Sequence, residues 1–404
     1  MWRPTVKYTP RCLLLLATLV LFSACSDMGS LDQKRAREAK NAGPGEPIRI
    51  GAVAPWEKLT ALGQYREGLE LALEEINAQH VLDRPFELVW KDDKASLSRG
   101  RAVAQELAED SDIMAVVGHY NSFIAVPVSL MYEHYGLLMI TATATATDLT
   151  SREGLELIFR NIPNDRQVAS QLADFSHDQG YERIIVLNQD NAFGNSLANA
   201  FELRAGKIGL NVVDRRTYDT TSGASHFRSM FQAWTKYYRF DAIFLAGVVP
   251  QAAEFIALAR EMGVKAPIIG GDGLDTPKLL EIAGEHANDV IVGTYFHPKE
   301  PNAKAQEFVR AFTNRYGKKP DAWAAQAYDT LHLLATAMRQ AQSTTPRAVA
   351  RALRTMDPFQ GVTGHTEFNK QGDVINRSIT TKIVQDQQFR YLGLNASHTN
   401  ANTQ

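Results

Sequence analysis

The chain has 404 residues, of which 45% are hydrophobic and 22% are charged, and its formal net charge is −2. This length and this apolar fraction predict a globular protein of two ordinary domains rather than a disordered chain. A nucleic-acid-binding protein would carry a surplus of basic residues, which the balanced charge excludes. Only one apolar run approaches membrane length, and it lies at the N-terminus. A transporter with several membrane spans is therefore excluded.

The N-terminus has the pattern of an export signal. Three basic residues precede the apolar run 13–22, and small residues follow it directly before Cys25. This order predicts a signal peptide over residues 1–24. Small residues before a cysteine resemble a bacterial lipoprotein signal, in which Cys25 becomes the lipidated first residue. An ordinary signal peptide and an uncleaved anchor are the alternatives.

Residues 25–47 are predicted to begin with the lipidated cysteine and to form a flexible tether. They are polar and end in Gly and Pro, a composition that holds a folded body away from a surface. A short solvated helix in the middle fits the sequence, but no apolar face requires one. The chain's two cysteines are Cys12, inside the predicted signal, and Cys25. The mature fold is therefore expected to contain no disulfide.

From residue 48 onward, short β-branched runs alternate with stretches of helical period. The predicted strands are 48–53, 86–91, 113–117, 137–141, 183–187, 211–218, 241–248, 267–270 and 290–296. The apolar faces of the predicted helices carry Leu69, Leu73, Ile76, Val103, Leu107, Val168, Leu172, Phe255, Leu258 and Met262. Alternating strands and helices predict parallel sheets covered by helices on both faces.

Nine strands are too many for one small core, so the pattern predicts two doubly wound lobes. After residue 296 the pattern changes to consecutive helices. The predicted helices are 302–316, 321–342 and 346–355, and short strand-like segments follow near 361–368 and 376–385. The predicted fold class is therefore α/β, with two Rossmann-like lobes.

The sequence lacks the common catalytic and cofactor motifs. It contains no phosphate-binding loop, no dinucleotide fingerprint, no HExxH motif and no paired Cys-x-x-Cys. The segment 194–198 misses the last position of a nucleophile elbow. His119 at a strand end is expected to pack or cap rather than contact a ligand, and His297 is expected to be solvated. We therefore expect a protein that is not an enzyme and that needs neither a cofactor nor a metal.

Polar groups follow three of the predicted strands, at the sheet edge where open α/β folds bind ligands. The loop 118–122 ends at Ser122, which places a hydroxyl at a helix N-terminus suited to an anion. The loop 141–147 alternates Thr and Ala, and residues 270–273 hold Asp272 in a glycine turn. An N-cap, a strand extension and turn chemistry are the structural alternatives. Together, an anion site and a carboxylate suit a zwitterionic ligand.

Many short stretches match one known family in their order and spacing. They are 48–53, 68–77, 92–93, 116–119, 138–145, 193–194, 267–273, 308–312, 327–329 and 368–373. By these stretches, residues 48–385 resemble the branched-chain amino-acid binding proteins of ABC importers, the leucine/isoleucine/valine-binding type. No single stretch is decisive, and the resemblance rests on the whole series.

The resemblance implies a type I periplasmic-binding fold, in which a three-stranded hinge joins two lobes and the ligand lies between them. By analogy, one lobe comprises residues 48–162 and 297–358. The other lobe comprises residues 163–296 and 359–395, and residues 396–404 form a tail.

The resemblance also implies which residues bind the ligand. Ser122 and Thr145 match positions that bind the α-carboxylate in the family. The main-chain carbonyl at Thr143 and the carboxylate of Asp272 match positions that receive the ammonium. Asp272 stands where Glu is common.

The predicted side-chain pocket departs from the family pattern. Leu62 stands near a position where Tyr often stacks, Phe193 replaces another Tyr, and Val248 replaces part of an aromatic-bearing pair. Tyr295 or Phe296 is expected to restore part of the lost apolar contact. The resemblance therefore predicts an α-amino acid as the ligand without fixing which one.

The expected function is to capture an amino acid, branched-chain or similar, and to deliver it to an ABC permease driven by its cytoplasmic ATPase. We expect a monomer that faces the periplasm or the cell surface, is held to the membrane by its lipid alone and binds no nucleic acid. Two alternatives stay open. One is the same fold binding an amide, a urea or an aromatic acid, or acting as a sensor. The other is a lipoprotein that regulates cell-wall synthesis without a small ligand.

Overall fold

The computed structural model describes residues 29–40, 46–79 and 83–394 of the chain. Its strands are β1 Ile48–Ala54, β2 Phe86–Asp92, β3 Ile113–Val117, β4 Leu138–Thr141, β5 Ile158–Arg160, β6 Arg183–Gln189, β7 Asn211–Tyr218, β8 Ala242–Ala246, β9 Ile268–Gly270, β10 Val290–Thr294, β11 Phe359–Gly361, β12 Gly364–Thr366, β13 Thr380–Gln385 and β14 Gln388–Leu394. Its helices are α1 29–39, α2 Trp56–Leu59, α3 Tyr65–Gln79, α4 Leu97–Glu109, α5 Ser122–His134, α6 Asp165–Asp178, α7 Ala192–Ile208, α8 Ala224–Tyr237, α9 Gln251–Glu261, α10 Pro277–Ala283, α11 Ala303–Tyr316, α12 Ala322–Ala341 and α13 Pro346–Thr355.

The predicted signal peptide, Cys25 and the predicted tail lie outside the described residues. Among the helices that the structure describes, none has the length and apolar character needed to cross a membrane.

The first sheet contains five parallel strands in the order β2-β1-β3-β4-β5. All residues of β3 are buried, as expected for a strand that is covered on both faces. The parallel register pairs Ile50 of β1 with Leu88 of β2 and with Ala115 of β3. Because the strands are parallel, their carboxyl ends lie at one edge of the sheet.

The second sheet contains seven strands in the order β14-β13-β10-β9-β8-β6-β7. Strands β6 to β10 pair in parallel, so their carboxyl ends also share one edge. Strand β13 pairs antiparallel with β10, and β14 pairs antiparallel with β13. Strands β13 and β14, the last that the structure describes, therefore extend a sheet that is otherwise built from residues 183–294.

The chain passes between the two sheets three times. It leaves the first sheet after β5, returns after β10 to form α11 to α13, and crosses again after α13 towards β13. Phe308 and Phe312 of α11 pack with Leu71 of α3 in one buried cluster, which places α11 with the first sheet. We call the unit around the first sheet lobe 1 and the unit around the second sheet lobe 2.

This architecture confirms the predicted fold class, and the exact residue bounds of the lobes stay a prediction. The predicted apolar helix faces pack inward. Their fully buried members are Leu69, Ile76, Val103, Leu107, Val168, Leu172, Phe255 and Leu258, and Leu73 and Met262 pack against the same clusters. The sequence prediction lacks β5, a strand of three residues.

Part of the predicted tether is folded, because residues 29–39 form α1 and Arg37 anchors this helix on lobe 1. Arg37 is fully buried. Its guanidinium donates hydrogen bonds of 2.8–2.9 Å to the backbone carbonyls of Ala108, Asp110, Ile113 and Tyr135. Three of these carbonyls lie at the C-terminal ends of α4 and α5, where carbonyls lack helical partners and carry partial negative charge.

The prediction of a flexible tether is therefore wrong for residues 29–39. The helix docks through a cation rather than through an apolar stripe, and hydrophobic periodicity detects only the apolar stripe. Contacts at its edge support the docking. Glu38 pairs with Arg347 of α13 at 3.1 Å, and Lys40 pairs with Asp112.

Replacing Arg37 with methionine should lower the free energy of unfolding by about 2–4 kcal/mol, because buried carbonyls lose a charged donor. Urea unfolding measures this change. Arg35→Met, on the exposed side of the same helix, is the matched control and should leave stability nearly unchanged. Equal effects of the two substitutions would contradict the docking of α1 through Arg37.

Candidate binding cleft

A cleft of about 580 Å³ lies between the lobes, where the carboxyl ends of both sets of strands meet. Six of the predicted ligand-binding residues line it: Leu62, Ser122, Thr143, Phe193, Val248 and Asp272. Thr145 and Tyr295 are buried but do not belong to this wall. The strand-end loops thus bring together residues as far apart in the sequence as Leu62 and Asp272.

On the lobe 1 side, the cleft contains the N-terminus of α5. Ser122 is its first residue, and the first intrahelical bond runs from Ile124 N–H to the Asn121 carbonyl at 3.0 Å. The N–H groups at the start of a helix precede its hydrogen-bond ladder and form a positive end. The Ser122 hydroxyl accepts a hydrogen bond from Ala146 N–H at 3.2 Å. This bond ties the two predicted ligand loops of lobe 1 together.

The loop 141–147 has a second attachment to the start of α5. Thr143 donates its hydroxyl to the Tyr120 carbonyl at 2.7 Å. Thr141 accepts a hydrogen bond from Ala144 N–H at 3.1 Å. The Thr143 hydroxyl hydrogen is therefore used within the protein, while its oxygen keeps the capacity to accept a hydrogen bond.

A buried hydrogen-bonded chain supports these loops from behind. His119 Nδ1 lies 2.8 Å from Asp93 Oδ2, and His119 Nε2 lies 2.9 Å from the Tyr132 hydroxyl. All three residues are fully buried. The His119 carbonyl also accepts the Thr141 hydroxyl at 3.0 Å. His119 therefore packs, as expected, and connects the ends of β2, β3 and β4. The expectation that His297 is solvated is wrong, because this side chain is buried.

On the lobe 2 side, the cleft contains the carboxylate of Asp272. It follows β9 on a short 3₁₀ turn, Asp272–Leu274, and is 4% exposed. A Cβ at Gly273 would lie 2.4 Å from the Gly247 carbonyl, so only glycine permits this close turn. The Asp272 Oδ1 atom has no hydrogen-bond partner among the described residues.

Burial and nearby negative charges make the ionised form of Asp272 unfavourable unless a cation pairs with it. Burial raises the pKa of Asp272 well above its usual range, and the nearby carboxylates of Asp165 and Asp275 raise it further. Two backbone hydrogen bonds oppose this shift without cancelling it. A cation placed against Asp272 would therefore stabilise the ionised form of its carboxylate.

The two predicted residues that do not line the cleft lie close behind it. Thr145 faces Asp165, a buried carboxylate of α6 whose pKa burial raises to about 6. The hydroxyls of Ser196 and Thr145 lower that pKa, although neither completes a hydrogen bond of ordinary geometry. The Tyr295 hydroxyl lacks a partner among the described residues, and the charges of Asp272 and Asp165 raise its pKa.

Sequence reasoning missed an aromatic wall in lobe 1. Tyr120 and Trp323 line the cleft, with ring centroids 5.6 Å apart, and Tyr65 packs edge-on against Tyr120 at 5.4 Å. No local motif marks Trp323, because it lies on α12, far along the chain from the other wall residues. Phe296, expected as a possible replacement, packs instead against Phe308 in the core.

The lobes touch on both sides of the cleft. On one side, Thr276 of lobe 2 donates its hydroxyl to the Leu62 carbonyl of lobe 1. On the other side, Thr147 N–H of lobe 1 donates to Ser196 Oγ of lobe 2 at 3.1 Å. Within the part of the chain that the structure describes, no group of three or more His, Cys, Asp or Glu side chains is arranged to hold a metal ion. Two α/β lobes around such a cleft define the class of two-lobed binding proteins.

Comparisons with known proteins identify the family within this class. The family described as periplasmic binding protein matches residues 47–388. The Leu/Ile/Val-binding protein BraC3 of Rhizobium johnstonii is 30% identical over 341 residues, which cover 82% of this chain and 90% of that protein.

Solved structures of substrate-binding proteins are also similar to this chain. An ABC transporter substrate-binding protein from Desulfitobacterium hafniense, in complex with Leu, is 37% identical, with a TM-score of 0.77, and the match covers 86% of this chain and 100% of that one. A leucine binding protein LivK from Thermotoga maritima is 25% identical, with a TM-score of 0.78, over 86% of this chain and 98% of that one.

The chain belongs to the periplasmic binding protein family, since the family match spans most of its length. The predicted resemblance is confirmed, and the protein is a solute-binding receptor of the ABC-transport type. Membership of this family implies an exported protein.

Proposed function

We propose that the cleft binds the α-ammonium and the α-carboxylate of a single amino acid, with a branched-chain side chain as the first candidate. Asp272 of lobe 2 receives the ammonium. Ser122 and the N-terminus of α5 receive the carboxylate in lobe 1. The ligand thereby joins the two lobes, and no bond is made or broken.

The observation that carries the proposal is the Asp272 carboxylate, which is buried with one oxygen unpartnered among the described residues. A buried carboxylate without a cation or donors costs several kcal/mol in typical cases. A ligand ammonium supplies both the positive charge and the donors, and it favours the ionised form of the carboxylate. Asp272 therefore has the chemistry of an ammonium site.

The opposite wall suits a carboxylate. The first N–H groups of α5 and the Ser122 hydroxyl face the cleft at the positive end of the helix. Charge-assisted hydrogen bonds of this kind contribute about 1.5–3 kcal/mol each. The main-chain carbonyl of Thr143 stays the predicted second acceptor for the ammonium. Thr145 and Tyr295 also stay predicted contacts, and a shift of the wall on binding would be needed to expose them.

The remaining wall favours an apolar side chain. Leu62 and Val248 supply aliphatic surface, while Tyr120, Phe193 and Trp323 supply aromatic surface. A leucine-sized side chain gains free energy from leaving water against such a wall. The Leu complex of the related Desulfitobacterium hafniense protein and the description of BraC3 as Leu/Ile/Val-binding support the same ligand class.

Ligand binding favours closure only if the closed form binds more tightly than the open form. In this protein the two anchors lie on different lobes, so only a closed cleft satisfies both. The proposed partner of the closed form is an ABC permease with its ATPase, and the receptor acts as a monomer.

Replacing Asp272 with asparagine should raise the Kd for leucine at least about 30-fold, because a buried ammonium loses its counterion. Calorimetry with leucine, isoleucine and valine measures this effect. Asp190→Asn changes an exposed acid of the same cleft and is the matched control. An unchanged Kd in Asp272→Asn would refute the ammonium site. If the unmodified protein bound none of the three amino acids, an amide, a urea or an aromatic acid would replace them.

The affinity for leucine should fall as the pH is lowered from about 8 to about 5. Burial raises the pKa of Asp272, so the empty site binds a proton that the ammonium must displace. Below the pKa of the empty site, the Kd then rises by up to about tenfold per pH unit. Calorimetry in buffers of different ionisation enthalpy measures both the Kd and the released proton. Asp272→Asn should flatten the profile, and an unaltered slope would assign the proton to another group such as Asp165.

We also propose that Cys25 carries a lipid anchor, because the small residues before this cysteine resemble a lipoprotein signal. A labelled fatty acid supplied to the producing bacterium should be incorporated into the protein. The label should be absent from Cys25→Ser, and equal labelling of both proteins would exclude this anchor site.

A further inference from the structure

A buried ion pair holds the turn that carries Asp272 from behind. Asp275 closes the turn, and its N–H donates to the Asp272 carbonyl at 2.9 Å. Both carboxylate oxygens of Asp275 lie 2.8 Å from Lys382 Nζ on β13. Thr294 on β10 donates its hydroxyl to the same carboxylate. Asp275 and Lys382 are 3% and 4% exposed, and neither lines the cleft.

The same turn is attached to lobe 1 from the front. Trp323 Nε1 on α12 donates to the Asp275 carbonyl at 3.0 Å. The adjacent Thr276 hydroxyl donates to the Leu62 carbonyl. A displacement of Asp275 would therefore move Asp272 and both of these contacts between the lobes.

The ion pair also controls the charge that Asp272 experiences. The negative charge of Asp275 raises the pKa of Asp272. Its effect is smaller than that of burial and that of the Asp165 charge. Lys382 supplies a positive charge in direct contact with Asp275, which offsets that charge at the cleft. The other titratable groups that face Asp272 or the pair are Tyr120, Tyr295, His297, Glu300 and Asp321.

We infer that Lys382 and Asp275 are positioning residues for the ammonium site. Their ion pair fixes the Asp272 turn and cancels the charge of a carboxylate that would otherwise repel ionised Asp272 and compete for the ligand. The inference rests on the proposed function, because it assigns the ammonium to Asp272.

Electrostatic positioning makes opposite predictions for the two partners. Lys382→Met leaves Asp275 without its cation, so the titration midpoint of Asp272 should rise by about one pH unit. Asp275→Asn removes a negative charge that raises the pKa of Asp272 and leaves Lys382 unpaired behind the turn, so the midpoint should fall by a similar amount. The double variant is neutral again and should titrate almost like the unmodified protein, because removing both partners of a buried pair is far less disruptive than removing one.

The midpoint can be measured without a ligand. Nuclear magnetic resonance of the ligand-free protein, with carboxyl-labelled aspartate, follows each titration, and the signal absent from Asp272→Asn assigns Asp272. Lys382→Arg keeps the charge and should keep the midpoint, even if Lys382→Met folds poorly. Arg204→Met breaks the Arg204–Asp174 pair of 2.7 Å in the same lobe, away from the cleft wall, and should not move it.

Opposite shifts in the single variants and their cancellation in the double variant would support the inference. Shifts in the same direction, or none, would overturn it and leave only a structural ion pair. The Kd for leucine separates this result from the proposed function. Loss of leucine binding in Asp272→Asn with no midpoint shift in the Lys382 and Asp275 variants would refute the inference alone. Unchanged leucine binding in Asp272→Asn would refute the ammonium assignment itself.

Discussion

One carboxylate without a counterion, that of Asp272, is the constraint around which the cleft is organised. Burial of an anion in a protein interior is unfavourable unless a cation or donors compensate it. The glycine turn and the buried pair behind it hold this anion at the lobe interface rather than letting it turn to solvent. A positive helix end lies on the facing lobe. The molecule thus presents a carboxyl group and the positive end of a helix on opposite walls of one small cavity.

Among the buried carboxylates that lack hydrogen-bond partners in the described residues, Asp272 lines the cleft and Asp165 does not. Three further buried carboxylates are paired within the protein. Asp321 caps α12, accepting N–H groups from Ala324 at 2.8 Å and from Gln64 at 2.9 Å. Asp275 has Lys382. Asp329 accepts the N–H groups of Val362 and Thr363, each at 2.8 Å. These three carboxylates have hydrogen-bond or charge partners within the protein, so they contribute to the rigidity of the fold. A buried carboxylate without such partners is the one suited to a ligand.

The two lobes contribute different kinds of wall to the proposed site. Lobe 1 contributes a preorganised wall, because Thr143, Ser122 and His119 bind its loops to one another. Lobe 2 contributes the charged turn, whose contacts to Trp323 and Leu62 exist only where the lobes meet. Closure of the lobes therefore brings two internally bonded walls together, and under the proposed function the ligand's ammonium and carboxylate would favour that closure.

The alternation of strands and helices, the loops at the strand ends and the Asp272 turn could be predicted from the sequence, since they depend on local period or local turn chemistry. The family could be predicted from the order of many short matching stretches along the chain. The tertiary structure was needed to show that Tyr120 and Trp323 form the aromatic wall, that Arg37 fastens α1 and that Lys382 pairs with Asp275, 107 residues away. A charged residue far along the chain has no local pattern that distinguishes a solvated position from a buried one. Its role appears only when folding brings its partner into contact.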